Sequence, residues 1–138
     1  MKLTFLCTNC RNWFESNPSE VPSRCHGSYM WGLSEYREGK LDKALQGVGS
    51  SFEMSEIMLR SDSLCNSYAS DWLVETSKTL VRILNELGRT EDSVEIHRKT
   101  SVLISESNDN EDIKRLTPTL ARIARDAYGS KDYLSLVH

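Results

Sequence analysis

Three glycines in this chain each separate two stretches that have the periodicity of a helix, and this recurrence limits the folds that the chain can adopt. The segments are EGKLDKAL, LGRTEDSV and YGSKDYLS, around Gly39, Gly88 and Gly129. Glycine readily adopts the left-handed conformation that ends a helix, and a carboxylate three or four residues later favours the positive end of the next helix. Those carboxylates belong to Asp42, Asp92 and Asp132. The pattern predicts three helical hairpins in series.

Apolar residues at spacings of three and four predict the helices around these turns. The predicted ranges are 41–59, 73–87, 90–106 and 118–128. In the first range Gly47 and Gly49 each cost about 1 kcal/mol relative to alanine, so tertiary packing must hold that helix. Thr117 and Pro118 supply a capping residue and a first-turn proline, so we expect the last helix to begin at Pro118. Residues 110–116 would then form a short separate helix or the upstream arm of a kink.

The composition excludes several classes of function. A chain of 138 residues is long enough for one domain, or for one domain with a small module. Its 17 Lys and Arg are scattered among 20 Asp and Glu, so no basic stripe is available to bind a phosphate backbone. No stretch approaches the roughly 20 apolar residues that span a bilayer, and MKLTFL is too short for a secretory signal. We expect a cytoplasmic protein without a nucleic-acid or membrane partner.

Residues 1–27 differ from the rest of the chain in composition and in hydrophobic periodicity. They contain two of the three prolines, three of the four cysteines and little helical periodicity. We therefore expect a boundary near Gly27, between a cysteine-containing segment (1–27) and a helical hairpin repeat domain (28–138). The predicted fold class is all-α: antiparallel hairpins stack into a short solenoid, because one amphipathic hairpin cannot bury its own apolar face. A small metal-knuckle-like or irregular segment precedes them. The aromatic residues expected to anchor the core between hairpins are Trp31, Tyr36 and Trp72.

The segment WGLSEYREGKLDKAL resembles the tetratricopeptide repeat family. It has the residues that the family uses for close helix contact, for the turn and for a small position on the second helix, namely Gly32, Tyr36, Gly39, Leu41 and Ala44. ILNELGRTEDSVEI and ARDAYGSKDYLSLV repeat the pattern in part, so the resemblance extends over residues 28–138. It implies a tetratricopeptide-like solenoid with a scaffolding role. Such folds usually bind a peptide, a helix or another copy of themselves, and they rarely catalyse a reaction.

Three cysteines and a histidine near the start of the chain have the chemistry of a zinc site. Cys7 and Cys10 form a CxxC pair, and Cys25 and His26 follow them. Zinc takes four thiolate or imidazole ligands in a tetrahedron, and a structural zinc contributes about 10–16 kcal/mol of folding energy. The spacing resembles a zinc ribbon in which Ser28 stands at the place of the fourth cysteine. We therefore predict a structural zinc that holds residues 1–27 in a folded conformation.

The fourth zinc ligand and the role of the thiols stay open. Cys65 or His97 could replace His26 by approaching from the helical domain. A CxxC pair after the strand-like KLTFL is also typical of thiol-disulfide oxidoreductases, in which Cys7 and Cys10 would form the redox pair.

In a third interpretation the thiols have no chemistry of their own. Cys7 and Cys25 would be small buried apolar residues, since free cysteine is among the most buried residue types. Residues 1–27 would then be an arm that packs on the helical hairpins.

The leading hypothesis is a non-enzymatic adaptor or scaffold that binds a protein or peptide. The chain has no Ser-His-Asp order, no phosphate-cradling glycine loop and no HExxH motif, so nothing nominates a catalytic centre. Self-association into a homo-oligomer is a variant, because a shortened third hairpin leaves an apolar face for another copy. The thiol oxidoreductase is the alternative. A nucleic-acid regulator that uses Lys2, Arg11 and Arg24 ranks last, because three cations are few.

Overall fold

The computed structural model describes residues 3–61 and 65–129, and every regular element in these ranges is helical. The elements are α1 (Thr8–Ser16), a 3-10 turn (Pro18–Glu20), α2 (Val21–Arg37), α3 (Leu41–Arg60), α4 (Asn66–Glu86), α5 (Thr90–Ser107) and α6 (Asn110–Tyr128). The prediction of an all-α fold is confirmed. Within the described ranges, no helix is both long enough and apolar enough to cross a bilayer.

Helices α2 to α6 pack in the order in which they follow each other along the chain. Each one contacts the next, and α4 also contacts α6. Only residues 38–40 separate α2 from α3, and only residues 87–89 separate α4 from α5. Connections this short turn the following helix back along the preceding one. The predicted arrangement of helical hairpins is therefore present.

The glycine turns have the geometry that the sequence predicts. The backbone angle φ is +78° at Gly39 and +75° at Gly88, both in the left-handed region. In both turns the residue after the glycine donates its N–H to the carbonyl five residues earlier, at 2.9 and 2.8 Å. These bonds satisfy carbonyls that the end of a helix leaves free. Gly129 has φ of +72° after α6, but Asp132 and the rest of the third predicted hairpin lie outside the described residues.

Helix α3 occupies the centre of the molecule. Every residue from Gly47 to Leu59 is buried, beneath α2, α4 and the N-terminal segment. At the crossing of α2 and α3, a β-carbon on Gly32 would lie only 2.8 Å from the backbone nitrogen of Val48. The two helices therefore meet backbone to backbone. Gly47, which lowers the helix propensity of α3, faces Gly32 at this crossing and permits the close approach.

Helix α6 corrects one prediction about helix ends. It runs without a break from Asn110 to Tyr128, with Pro118 in its interior, so the expected start at Pro118 is wrong. The helix begins earlier because the Asp109 carboxylate accepts the Asp112 N–H at 2.9 Å, which is a stronger N-cap than Thr117 can provide. The turns before the proline also contribute to the core through buried Leu116.

The N-terminal segment contains more helix than the sequence indicates. Residues 8–16 form α1, and the boundary expected near Gly27 lies in the middle of α2. The cysteine-containing segment and the helical domain therefore share one continuous helix. Ahead of α1, residues 3–7 are not helical, and we call them the N-terminal arm.

Two of the three expected aromatic anchors connect the first hairpin to the second. The Tyr36 hydroxyl on α2 donates to the Glu86 carboxylate on α4 at 3.0 Å. The Trp72 ring on α4 meets the Tyr29 ring on α2 edge to face, with 5.6 Å between the centroids. The expectation that Trp31 is a core residue is wrong, because its side chain is 46% exposed. It lies over Gly47 at the surface of the crossing.

Candidate functional site

The N-terminal arm lies on α3 and is held there through its main chain. The N–H of Phe5 donates to Oε2 of Glu53 at 3.0 Å, and the N–H of Leu6 donates to Oε1 at 2.7 Å. The carbonyl of Phe5 accepts a hydrogen bond from the Gln46 amide nitrogen at 3.3 Å. One carboxylate thus binds two successive main-chain N–H groups. Successive main-chain N–H groups are a common anion-binding arrangement, and here the bound anion is a side chain of the same chain.

Glu53 is an unusual residue in the middle of a buried helix. It is only 2% exposed, and a carboxylate out of water is stable only with donors around it. Its third donor is the guanidinium of Arg11 on α1, 3.2 Å from Oε1. Every donor to Glu53 named here comes from residues 5–11, so the arm and α1 together neutralise and solvate this acid.

The side chain of Phe5 lies where α3 has no side chain. A β-carbon on Gly49 would be 2.3 Å from the Phe5 ring, closer than non-bonded carbon atoms can approach. The ring is partly buried and packs against the core. The Phe5 ring therefore lies directly on the backbone at Gly49, and we call this position the seat of the ring. Gly49 lies one helical turn before Glu53 on the same helix.

A cleft of about 430 Å³ continues from the arm between α3 and α5. On its α3 side lies Glu56, which is 1% exposed. Oε1 of Glu56 is 3.3 Å from the Lys99 ammonium on α5, and Oε2 is 3.9 Å from the guanidinium of Arg60. Burial raises the pKa of the Glu56 carboxyl, and the charge of Lys99 opposes this rise. The α3 side of the cleft therefore carries the ion pairs of Glu56. They lie next to Glu53, which binds the main-chain amides of the arm.

The CxxC pair lies at the start of α1, next to the arm. Cys7 is the N-cap residue, and its Sγ accepts the Cys10 N–H at 3.3 Å. Both thiols are exposed. The hydrogen bonds from Cys10, first from its side chain and then from its backbone N–H, lower the pKa of Cys7. The interpretation of Cys7 as a buried apolar residue is therefore wrong.

The other two predicted zinc ligands, Cys25 and His26, lie in different environments from each other and from the CxxC pair. Cys25 is fully buried. Its Sγ lies 3.4 Å from the carbonyl of Ser51 and 3.5 Å from the hydroxyl of Ser55, and burial raises the pKa of its thiol to about 11. This agrees with the interpretation of Cys25 as a small buried residue. His26 is exposed on α2, with its ring 5.8 Å from that of Trp72.

The described residues do not bring the predicted zinc ligands together. In residues 3–61 and 65–129, no three His, Cys, Asp or Glu side chains form a group that could hold a metal ion. Of the alternative ligands, Cys65 is exposed just before α4, and His97 packs against Tyr128. Zinc binding by Cys7, Cys10, Cys25 and His26 stays a prediction. Metal analysis of protein purified without chelator, with Cys→Ser variants at the three positions, tests it.

The chain was compared with models of protein families, with curated proteins and with solved structures. None of the three comparisons found a match. The tetratricopeptide pattern is thus a resemblance carried by the residues around Gly39, and the function must be argued from the geometry of the site.

Sequence reasoning missed the residues that hold the arm. Glu53 is one of many glutamates in a helical stretch, and such residues are usually solvated. A signal was present nonetheless: the run GVGSSFEMSEIML around Glu53 has small residues on every side of the helix. The run has only two charged residues and so lacks the polar face of a surface helix, which indicates a helix buried on most sides. A glutamate within it therefore needs a specific partner.

Proposed function

We propose that this protein is a protein–protein interaction adaptor that binds a short non-helical segment of a partner on α3. The observation that carries the proposal is the buried Glu53 carboxylate, which accepts two successive main-chain N–H groups at 3.0 and 2.7 Å. Main-chain recognition of this kind provides affinity with little dependence on sequence, while pockets for side chains provide specificity. The N-terminal arm occupies this surface as a partner segment would.

The surroundings of Glu53 support a binding role over a purely structural one. The cleft extends beyond the arm towards Lys99 and Arg60, so a longer segment has room and charges to contact. Rigid helices on both sides provide the surface, which is how binding sites are most accurately held in place. The resemblance to tetratricopeptide repeats points to the same class of function, the binding of a peptide, a helix or another copy.

Selection of binding peptides from a random library tests the proposal. The full-length Phe5→Ala chain is the target, because removal of the ring weakens the arm and exposes the site. We expect selected peptides to lose binding to a Phe5→Ala/Glu53→Gln chain and to keep it with Phe5→Ala/Glu56→Gln, which changes an equally buried glutamate three residues away. Selection of no peptide, or of peptides indifferent to Glu53, would refute the adaptor proposal.

The CxxC geometry favours a second candidate function, that of a thiol-disulfide oxidoreductase. A Cys7 thiolate at the start of α1 would attack a substrate disulfide and release one substrate thiolate. Cys10 would then resolve the mixed disulfide, so that two electrons pass to the substrate and a Cys7–Cys10 disulfide forms. The observation in its favour is the bond from the Cys10 N–H to the Cys7 sulfur. If the chain does not accelerate the reduction of a protein disulfide above the rate with dithiothreitol alone, this function is excluded.

A further inference from the structure

We infer that the partner segment has the chemistry of the N-terminal arm and that the arm is its internal competitor. Such a segment presents an aromatic residue followed by an aliphatic one, both with free main-chain N–H groups, in a non-helical conformation. The inference rests on the proposed function, which it makes specific. Three contacts of the arm define the segment, and each contact can be tested separately.

The aromatic residue is required by Gly49. A hypothetical β-carbon at this position would lie 2.3 Å from both Cδ1 and Cε1 of Phe5 and 2.4 Å from Cγ. The whole edge of the ring therefore rests on the bare backbone of α3. A flat ring fills such a surface with close contact, whereas a branched aliphatic side chain cannot approach it over the same area.

The two free N–H groups are required by Glu53. The carboxylate is 2% exposed with the arm in place. When the arm leaves, it loses the two N–H donors and keeps the guanidinium of Arg11 as its donor from residues 3–61 and 65–129. A buried acceptor that loses its donors is destabilised, and a charged one more than a neutral one. A segment that replaces both N–H groups removes that destabilisation. Proline at either position has no N–H to donate, so it is excluded.

The arm is held weakly enough to be displaced. Phe5 and Leu6 are only partly buried, Thr4 is exposed, and no regular secondary structure includes residues 3–7. The arm belongs to the same chain, so it competes with a partner segment at a high effective concentration. If it is seated about 99% of the time, a competing segment binds with an apparent Kd about 100-fold weaker than that of the open site.

Fluorescence anisotropy with a labelled peptide tests the inference. The peptide is acetylated and amidated KLTFLS, which carries the sequence of residues 2–6 followed by serine in place of the reactive cysteine. The control peptide has N-methyl leucine after the phenylalanine and so lacks one N–H. Four full-length chains are compared: wild type, Phe5→Ala, Phe5→Ala/Gly49→Ala and Phe5→Ala/Gly27→Ala. The last is a matched control, since a β-carbon on Gly27 meets nothing within 4 Å.

We expect Phe5→Ala to bind KLTFLS at least about tenfold more tightly than the wild type, because its seat is open for a larger fraction of time. Phe5→Ala/Gly27→Ala should bind like Phe5→Ala. Phe5→Ala/Gly49→Ala should lose binding, because the new methyl group occupies the seat of the ring. The N-methyl peptide should bind at least about tenfold more weakly than KLTFLS, since one hydrogen bond to a charged group is lost.

The possible failures of this experiment separate the inference from the proposed function. Equal affinity of wild type and Phe5→Ala would overturn the competition by the arm, while the peptide site would stand. No binding of KLTFLS to any chain would overturn the inferred chemistry of the partner, and the library selection would then decide the adaptor proposal alone. Dimers of the wild type in sedimentation, dissociated by KLTFLS, would show that the occupant is the arm of a second copy and would also overturn the inference.

Discussion

Single glycines decide how closely the parts of this molecule approach α3. A β-carbon would overlap a neighbouring atom at 2.8 Å on Gly32, at 2.7 Å on Gly47 and at 2.3 Å on Gly49, but on Gly27 it would meet nothing. In the sequence these four residues look alike, because a glycine lowers helix propensity wherever it stands. The atoms that distinguish them come from distant parts of the chain. The close helix contact at Gly32 was expected from the resemblance to tetratricopeptide repeats, but the roles of Gly27, Gly47 and Gly49 could not be predicted.

Alanine substitutions at two glycines of α2 should have opposite effects. Gly32→Ala should lower the free energy of unfolding by about 1–3 kcal/mol, because overpacking against Val48 outweighs the gain in helix propensity. Gly27→Ala should raise it by about 0.5–1 kcal/mol, since the new methyl group has open space. Urea unfolding followed by circular dichroism measures both. Changes of the same sign would contradict the crossing of α2 and α3.

His97 should make stability depend on pH. Burial lowers the pKa of its imidazole below the ordinary 6.5, so the folded chain favours the neutral ring. Its contribution to the free energy of unfolding is therefore complete above the unfolded pKa and is lost as pH falls through about 6.5 towards the lower folded value. We expect the wild type to lose more stability than His97→Gln between about pH 7.5 and pH 5.

Urea unfolding of both chains at each pH measures this difference, and comparison with the variant cancels the contribution of the carboxylates. Equal losses in the two chains would mean that the ring beside Tyr128 is solvated in the folded protein.

The cysteines show which contacts can be predicted from residue types and spacing and which cannot. The CxxC spacing correctly indicates that Cys7 and Cys10 are neighbours, since one turn of helix brings them together. The sequence also places Cys25 in the predicted zinc site, because it is close in sequence and has the same ligand chemistry. In the structure it lies inside α2 and faces Ser51 and Ser55 of α3. Which face of a helix a thiol occupies depends on tertiary packing, and residues 1–27 carry too little periodicity to reveal it.

At the scale of helices, strong periodicity and glycine turns made α3, α4 and α5 predictable. The predicted ranges 41–59 and 90–106 agree with Leu41–Arg60 and Thr90–Ser107 to within one residue at each end. The predicted range 73–87 misses the start of α4 at Asn66 by seven residues. Its first two turns, NSYASDW, are mostly polar and carry no apolar stripe. Helix α1 was missed for the same reason.

Pro118 leads to a prediction about α6. Inside a helix a proline removes one hydrogen bond and crowds the carbonyl four residues earlier, at a cost of up to about 3 kcal/mol. Since Pro118 is exposed and continues one uninterrupted helix, Pro118→Ala should raise the free energy of unfolding by about 1–3 kcal/mol.

Lys114→Ala, at an exposed site one turn earlier in α6, should change stability by less than about 0.5 kcal/mol. Thermal and urea unfolding of both variants provide the comparison. A Pro118→Ala chain no more stable than the wild type would indicate that α6 does begin at the proline, as the sequence suggests.

For the whole molecule, the central feature is that α3 binds a segment of its own chain. The sequence predicts the helices that build the surface and the class of function that hairpin repeats usually serve. It does not reveal the site, because Phe5 and Glu53 are 48 residues apart and neither belongs to a motif. The small residues around Glu53 indicate a buried helix, but nothing in the sequence indicates that its carboxylate binds main-chain amides. Glu53 needs main-chain donors because the fold buries α3 and leaves one of its faces to the arm.

Hydrogen–deuterium exchange at the Phe5 and Leu6 amides, resolved by NMR, tests this feature most directly. The chains to compare are the wild type, Glu53→Gln and Glu56→Gln, each of full length. The account predicts slowed exchange at both amides in the wild type and in Glu56→Gln, and loss of that protection in Glu53→Gln. Exchange at the rate of an unstructured peptide in the wild type, or equal protection in all three chains, would contradict it.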